Sequence, residues 1–409
     1  MNGMSDTGSS FGERSLALHQ EHRGKLGIQV KVGLESRDDL SLAYTPGVAA
    51  VSEHLAAHPE AAMAMSFKGN SVAIVSDGSA VLGLGNIGPY GALPVMEGKA
   101  ALFKEFAGID GVPIVLGTQK PEEIIATVKA IAPTFGGINL EDIAAPQCFA
   151  IERALQAIGI PVFHDDQHGT AIVVLAALLN ACKLTGKKPD DLTVVLNGAG
   201  AAGTSIAKLL RCIGQDPTVC IPVKEILMCD SQGIISRGRF DKLNDEKRAL
   251  LSFTNRSDRS GSLRDALVGA DVFIGVSVAN LLTAADIRLM NADPIVFALA
   301  NPDPEILPDE ARMGGASVVC TGRSDFPNQV NNVLAFPGIF RGALDAGASR
   351  ITEHMKISAA HALSACLSDP RVDMVIPDPL DRSVVPIVAA AVAQAWEEDV
   401  AAGSHLWHS

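Results

Sequence analysis

The sequence predicts an α/β protein: an N-terminal α/β domain, then a doubly wound parallel-sheet domain, with helices at the C-terminal end. Three observations predict it. Short strand-like runs alternate with helical patterns from residue 71 to residue 320. Hydrophobic residues make up 47% of the chain and charged residues only 19%, the balance that sheets buried on both faces require. Two alanine-rich helical stretches then flank Pro377 and Pro379 between Ala359 and Trp396. A chain of 409 residues is long enough for two domains.

In chain order, the polar stretch Met1–Ser10 has neither the cationic nor the apolar part of a secretion signal and reads as a tail. Leu40–Ala50 is turn-rich, broken at Pro46-Gly47. A strand over Ser71–Val75 feeds a glycine-rich loop, Asp77–Gly91, and Val95–Phe106 is helical. A strand at Ile114–Leu116 precedes a helix from Pro121 to Ile131, with proline in the first turn. Strands at Ile138–Leu140 and Pro161–Phe163 enclose a helix over Gln147–Ile158. These elements make a first domain, residues 1–163. The second, residues 164–409, opens on a helix over Thr170–Lys183. Strands follow at Thr193–Leu196, Ile226–Cys229, Val272–Val276, Ile295–Leu299 and Val318–Cys320. Leu243–Ser262 is polar and reads as irregular surface.

Two glycine runs share one pattern. Gly83, Gly85 and Gly88 are followed at once by Pro89, where a long helix should begin. Gly198-Ala199-Gly200-Ala201-Ala202-Gly203 instead lies between a strand and the helical Thr204–Leu210. Strand, tight turn and helix N-terminus offer free backbone N–H groups and a positive dipole end to a pyrophosphate, so the second run marks a dinucleotide site. Asp230 ends the next strand, where an acid accepts hydrogen bonds from the adenosine ribose; that favours NAD over NADP. Yet Asp230 lies 27 residues beyond Gly203, longer than the usual ~20, and Lys242 or Arg256 could meet a 2′-phosphate.

The formal net charge of −13 argues against a basic nucleic-acid surface. The most apolar helix pattern, Thr170–Cys182, is shorter than the ~20 residues a bilayer needs, so no membrane span is expected. The seven cysteines include no C-x-x-C pair and no zinc spacing. The chain reads as reduced and cytoplasmic.

Two acidic pairs follow strand candidates: Glu141-Asp142 and Asp165-Asp166. Loops at strand C-termini converge on ligands, and clustered carboxylates are costly to desolvate unless a cation neutralises them. Hard oxygen donors suit Mg²⁺ or Mn²⁺; unrelated helix caps are the equally weighted alternative. His164 and His168 flank the second pair and are left out of the metal set. Lys99 could be a general base if burial near a metal depresses its pKa, although most lysines solvate a surface. Tyr44 could donate a proton, or simply pack. The amides of Asn301 and Asn332 could bind a carboxylate, or only shape turns.

Taken together, the motifs resemble the malic enzymes, above all the compact bacterial form. They are YTPGVA at Tyr44, KGNSVAIVSDGSAVLGLGNIG from Lys68, LPVMEGKA ending at Ala100, INLEDI around Glu141 and FHDDQHGTA around Asp165. NGAGAAG at Asn197, ALANPDPE at Asn301 and FPNQVNNVLAFPGIFRGALD from Phe326 complete the series. The resemblance spans roughly residues 19 to 360, in the family's own order.

The resemblance implies oxidative decarboxylation of (S)-malate to pyruvate and CO₂ with NAD or NADP and Mg²⁺ or Mn²⁺. The neighbouring alternatives are a malolactic-type reaction that retains NAD and a related hydroxyacid decarboxylase. It implies a Rossmann-type second domain and a homodimer or larger assembly. Glu141, Asp142 and Asp166 match the metal ligands, Lys99 the base, Tyr44 the acid and Asp165 the residue beside the base. Asn301 and Asn332 match positions that hold malate, with Asn301 also at the cofactor, and the first glycine run becomes a substrate-domain loop. One departure is clear: Ala80 stands where larger relatives carry a carboxylate-binding arginine.

Overall fold

The computed structural model describes residues 10–214 and 220–403; the tail reading of Met1–Ser10 falls, apart from Ser10, outside them. Two sheets organise the chain. The first has four parallel strands, β1 (Ser71–Ser76), β2 (Asp110–Val115), β3 (Gly137–Leu140) and β4 (Val162–His164), in the order β2-β1-β3-β4. The second has six: β5 (Thr193–Asn197), β6 (Glu225–Asp230), β7 (Gly233–Ile234), β8 (Val272–Gly275), β9 (Ile295–Ala298) and β10 (Val318–Thr321). Their order is β10-β9-β8-β5-β6-β7, all parallel except the short β7, which turns back along β6. From β5 the chain moves to β6 and β7 on one side, then returns to place β8 on the other side of β5. The crevice at its C-terminal end is therefore the switch point at which such sheets bind ligands.

The Gly88–Ala107 helix overturns one premise. It follows the first glycine run directly, with Pro89 in its first turn and Pro94 inside it. Proline at that place costs no hydrogen bond, because the first N–H groups of a helix are unpaired anyway. What separates the two glycine runs is loop length. Residues 77–87 lie between β1 and its helix, whereas only Gly198–Gly200 lie between β5 and the Ala201–Leu210 helix.

The central helix, Asp165–Thr185, has 21 residues, longer than the apolar stretch alone indicates, because its first turn is polar. By length and composition it could cross a bilayer, but 67% of its apolar window is buried inside the protein. It packs against the Ala201–Leu210 and Glu353–Ala365 helices, as a core helix does.

Two further expectations fail. Leu243–Ser262 is not mere surface: it contains the Asp245–Leu250 helix, and Thr254 and Asn255 are fully buried. The Asn255 amide donates to the Ile235 and Arg259 carbonyls, so polarity here serves internal hydrogen bonding. Nor are all the cysteines reduced, since Cys212 and Cys220 form a disulfide with Cα atoms 5.8 Å apart. The Val223 N–H bonds the Leu210 carbonyl, drawing the returning chain alongside the helix end and bringing together two thiols that no motif relates.

The core runs across both sheets. Phe103 packs edge-on against Phe336 and Phe340, with ring centroids 4.7 and 5.4 Å apart, and Phe340 meets Phe163 at 6.0 Å. Phe336 and Phe340 lie on the Phe336–Asp345 helix, which follows β10 in sequence yet packs on the Gly88–Ala107 helix. Arg341 reinforces this contact by donating to the Asn70 side chain at 2.8 Å.

The Phe336–Asp345 and Val384–Ala401 helices approach closely at Gly338 and Gly342. A Cβ on Gly342 would run into the Ala389 carbonyl oxygen and Val392. Gly342→Ala should therefore destabilise the protein by about 1–3 kcal/mol despite alanine's better helix propensity. A chemical-denaturation midpoint equal to the parent's would show that the two helices can part without loss.

Candidate active site

The C-terminal ends of β3 and β4 carry the acidic pairs. Asp142 adopts a left-handed backbone, φ 54°. In an extended strand successive side chains diverge; this kink, tolerated by aspartate, lets Glu141 and Asp142 face one point. Asp166 arrives from the first turn of the Asp165–Thr185 helix, and its Oδ2 accepts the Asp142 N–H at 2.8 Å. Ligand oxygens of Glu141, Asp142 and Asp166 all lie within 4.8 Å of one another. The sequence-predicted trio thus assembles.

The site's charge is concentrated and buried. The Lys99 ammonium lies 2.9 Å from Glu141 Oε1 and 2.5 Å from Asp165 Oδ2, and 4.1 Å from the centre of the Phe336 ring. Burial pushes Glu141 well above the usual carboxylate range and Asp142 up to about 8, with Asp166 adding repulsion to both. Asp165 is likewise raised by burial, although Lys99 opposes the shift. Lys99 answers to two opposed influences. Burial favours its neutral form, but the charges of Asp165 and Glu141 outweigh burial and raise its pKa. In the absence of a metal it is a held ammonium, not a depressed base.

A divalent cation fits this donor set. Asp142 Oδ2 and Asp165 Oδ1 are buried without a hydrogen-bond partner, and three hard oxygens converge where, among the described residues, Lys99 is the one ammonium bonded. Neither histidine joins them: His168 is bound to Glu152 at 2.7 Å, and fully buried His164 stands 3.7 Å from Asp166.

Asn332 is brought in from the opposite side. Its amide nitrogen donates to Asp165 Oδ2 at 3.1 Å, and its oxygen accepts from Thr170. Asn332 therefore orients Asp165, a contact invisible in sequence because 167 residues separate the two. Gly169 lies directly beneath the same carboxylate, where a Cβ would collide with Asp165 Oδ1. Asn301, in a cis peptide bond to Pro302, sits against Gly322 at the end of the second sheet. A Cβ on Gly83 would meet the Asn301 carbonyl at 2.8 Å, so the first glycine run abuts the Asn301 loop. At Ala80 the backbone N–H bonds the Asp142 carbonyl at 3.0 Å; the loop supports the acidic pair here and brings no cation. Tyr44 is not gathered in. It caps the Arg37–Ala43 helix and is 67% exposed.

The second glycine run opens on a crevice of about 740 Å³, lined by Asn197, Gly198, Gly200, Asp230, Lys247 and Ser277 among others. Gly203 must be glycine, since a Cβ there would strike the Gly198 carbonyl. The cations that reach Asp230 are Arg239, at 2.9 Å, and Lys247, at 2.7 Å. Lys242 is exposed and has no such contact, while Arg256 presents its backbone N–H to Glu225. The hairpin formed by β6 and β7, too short to register as a strand pattern, redirects the chain and brings Arg239 back.

Comparison with known proteins agrees with this arrangement. Residues 167–396 match the model of the malic enzyme NAD-binding domain, and residues 23–123 and 117–156 match that of the malic enzyme N-terminal domain. The bifunctional malic/malolactic enzyme of Bacillus subtilis strain 168 is 56% identical over 389 residues, covering 94% of this chain and 93% of its own. The NADP-dependent malic enzyme of Halomonas elongata is 47% identical, covering 91% of this chain and 90% of its own. The crystal structure of the NAD-dependent malic enzyme of Thermotoga maritima superposes with a TM-score of 0.88 at 50% identity, covering 93% of this chain and 98% of that one. With both domain models and full-length relatives in agreement, the chain belongs to the malic enzyme family.

Proposed function

We propose that this chain oxidises (S)-malate and decarboxylates the product to pyruvate and CO₂, using NAD or NADP and a divalent cation. The observation that carries the reading is the Lys99 ammonium held between Glu141 and Asp165, beside three converging carboxylates. Glu141, Asp142 and Asp166 would hold Mg²⁺ or Mn²⁺, and the Gly198–Gly203 turn and Asp230 the dinucleotide. When bound, the dinucleotide would supply the hydride acceptor and the cation would supply Lewis-acid polarisation of the substrate oxygen.

The side chains then divide the proton transfers. Lys99 would take the C2 hydroxyl proton, and a cation held by Glu141, Asp142 and Asp166 would lower its proton affinity by sharing the charge of Glu141. Asp165, held by Asn332, keeps the amine aimed. Asn301 reaches the substrate carboxylate from the second sheet. Tyr44 returns a proton to C3; its exposure in a single chain is the reason to expect it to act across an interface between copies. Leu42 and Tyr90 are exposed as well, at 76% and 90%, and such apolar groups are the surface that a homodimer or larger assembly would cover. The nicotinamide pool such a reaction draws on is cytoplasmic, and we place the chain there.

Name alone favours one second reading. The B. subtilis relative is called bifunctional malic/malolactic, so retention of the nicotinamide with release of lactate is the alternative.

Measurements of turnover, metal binding, stability and assembly test these assignments. With malate and Mn²⁺, absorbance at the reduced-nicotinamide band should rise in step with pyruvate; lactate without net reduced cofactor would favour the second reading. Lys99→Ala should lower turnover by about 10²–10⁴-fold while leaving nucleotide binding intact; unchanged turnover removes Lys99 as the base. Asp142→Asn should weaken Mn²⁺ binding by at least about tenfold in calorimetry. Because Asp142 is raised to about 8, Mn²⁺ binding by the parent should release protons and tighten as pH rises toward 8. Over the same window the folded metal-free protein binds more protons than the unfolded chain. Its stability should therefore fall between about pH 4 and pH 8, less steeply in Asp142→Asn. Sedimentation should find at least a dimer, and a monomer at working concentration would exclude Tyr44 acting across an interface.

A further inference from the structure

Glu305 joins neither the acidic trio nor the lining of the nucleotide crevice, yet it is a fully buried carboxylate. No cation among the described residues is paired with it; burial pushes its pKa up, and backbone N–H groups oppose the shift. Oε1 accepts from the Ser277 N–H at 3.0 Å, and Oε2 accepts from the Ala300 N–H at 3.0 Å. The Glu305 carbonyl accepts from the Leu281 and Leu282 N–H groups at 2.7 and 2.9 Å. Gly275 leaves room for the carboxylate, since a Cβ there would collide with it. One residue thus ties the loop that leaves β8 to the loop that leaves β9.

Both loops carry groups of the proposed site. The β8 loop supplies Ser277, Val278 and Leu281 to the crevice wall. Ser277 Oγ accepts from the Asn197 amide at 2.6 Å, directly before the glycine turn. The β9 loop runs from Ala300 straight into Asn301. Asp230 stands at the adenosine end, on the β6 side of β5, so the nicotinamide half would extend over β8 and β9 on the other side. Fully buried, Glu305 does not meet the dinucleotide. What it fixes is the spacing between the wall for the nicotinamide and the amide for malate.

We infer that Glu305 is a positioning residue for hydride transfer: its two oxygens clamp the Ser277 and Ala300 N–H groups and so set the nicotinamide wall against Asn301. This rests on the proposed function of the site. An amide in place of the carboxylate breaks the clamp, because its NH₂ group would face a backbone N–H and two donors do not bond. The loops then shift and the reacting carbons part; a misplacement of about 1 Å can cost ~10²-fold in rate.

The test compares the full chain with Glu305→Gln. Kinetics use Mn²⁺, NAD or NADP (whichever the parent reduces faster), and malate with hydrogen or deuterium at C2. Calorimetry uses the same nucleotide and adenosine 5′-monophosphate. Glu305→Gln should lower kcat by about 10–100-fold, raise the KM for the nucleotide and enlarge the deuterium isotope effect on kcat, since hydride transfer becomes the slow step. Affinity for the monophosphate should be unchanged, because the adenosine end lies across β5. Gly275→Ala, which displaces the carboxylate but retains it, should give the same pattern and serves if Glu305→Gln fails to fold. Partial unfolding lowers kcat alone, so a lowered kcat with unchanged KM and isotope effect overturns the proposal. Equal losses of monophosphate and dinucleotide affinity, or a variant that matches the parent throughout, overturn it as well. A parent that binds the dinucleotide without oxidising malate removes the proposed function instead, and the comparison of the two nucleotides still decides whether Glu305 sets the nicotinamide wall.

Discussion

Everything in this molecule answers to the burial of a single ammonium among carboxylates. Lys99, Glu141, Asp142 and Asp165 are all withdrawn from water, with Asp166 at their edge. One positive charge cannot balance four negative ones. In a poorly solvating setting the imbalance is relieved in only two ways, by protonation or by a further cation. The raised carboxylates express the first way, and the convergence of three oxygens prepares the second. Lys99 is then tuned by whichever way prevails, which joins metal loading to the basicity of the amine.

The backbone makes this concentration of charge affordable. The acidic residues lie at strand C-termini and at the N-terminal turn of the central helix, where unpaired N–H groups and the helix dipole favour negative charge. Left-handed Asp142 and bare Gly169 provide the two local geometries that larger or more restricted residues would block. Asn332 closes the set from a distant part of the chain. Order at the site is thus a property of the whole fold rather than of one loop.

Much of this could be read from the amino acids. The two acidic pairs stand out by charge type and position after strands, the family resemblance narrows the metal set to Glu141, Asp142 and Asp166, and these three meet. The Gly198–Gly203 turn was chosen by its flanks and opens on the nucleotide crevice. What was hidden is pairing across long separations. Asn332 with Asp165 depends on tertiary placement that leaves no periodic trace, while Arg239 and Lys247, only 9 and 17 residues beyond Asp230, reach it through a hairpin too short to read as a strand pattern. The Asp165 contact of Lys99 is legible in the resemblance, whereas its Glu141 contact is not. Pro89 misled because a breaker inside a helix is a favoured starter at its first turn. Cys212 and Cys220 gave no sign, as their spacing belongs to no recurrent motif.

The aromatic contact of Phe103 with Phe336 and Phe340 bears on how such a protein could be recombined. The segment carrying Asn332 and Phe336 comes after the last nucleotide-binding strand, yet it walls the amine and steadies Asp165. A chimera that exchanged the nucleotide half at a boundary near residue 163 would carry away part of the packing around Lys99 and Asp165 as well. Modularity therefore fails at the obvious seam: a transplant that preserves chemistry must keep the 332–345 piece with the first sheet.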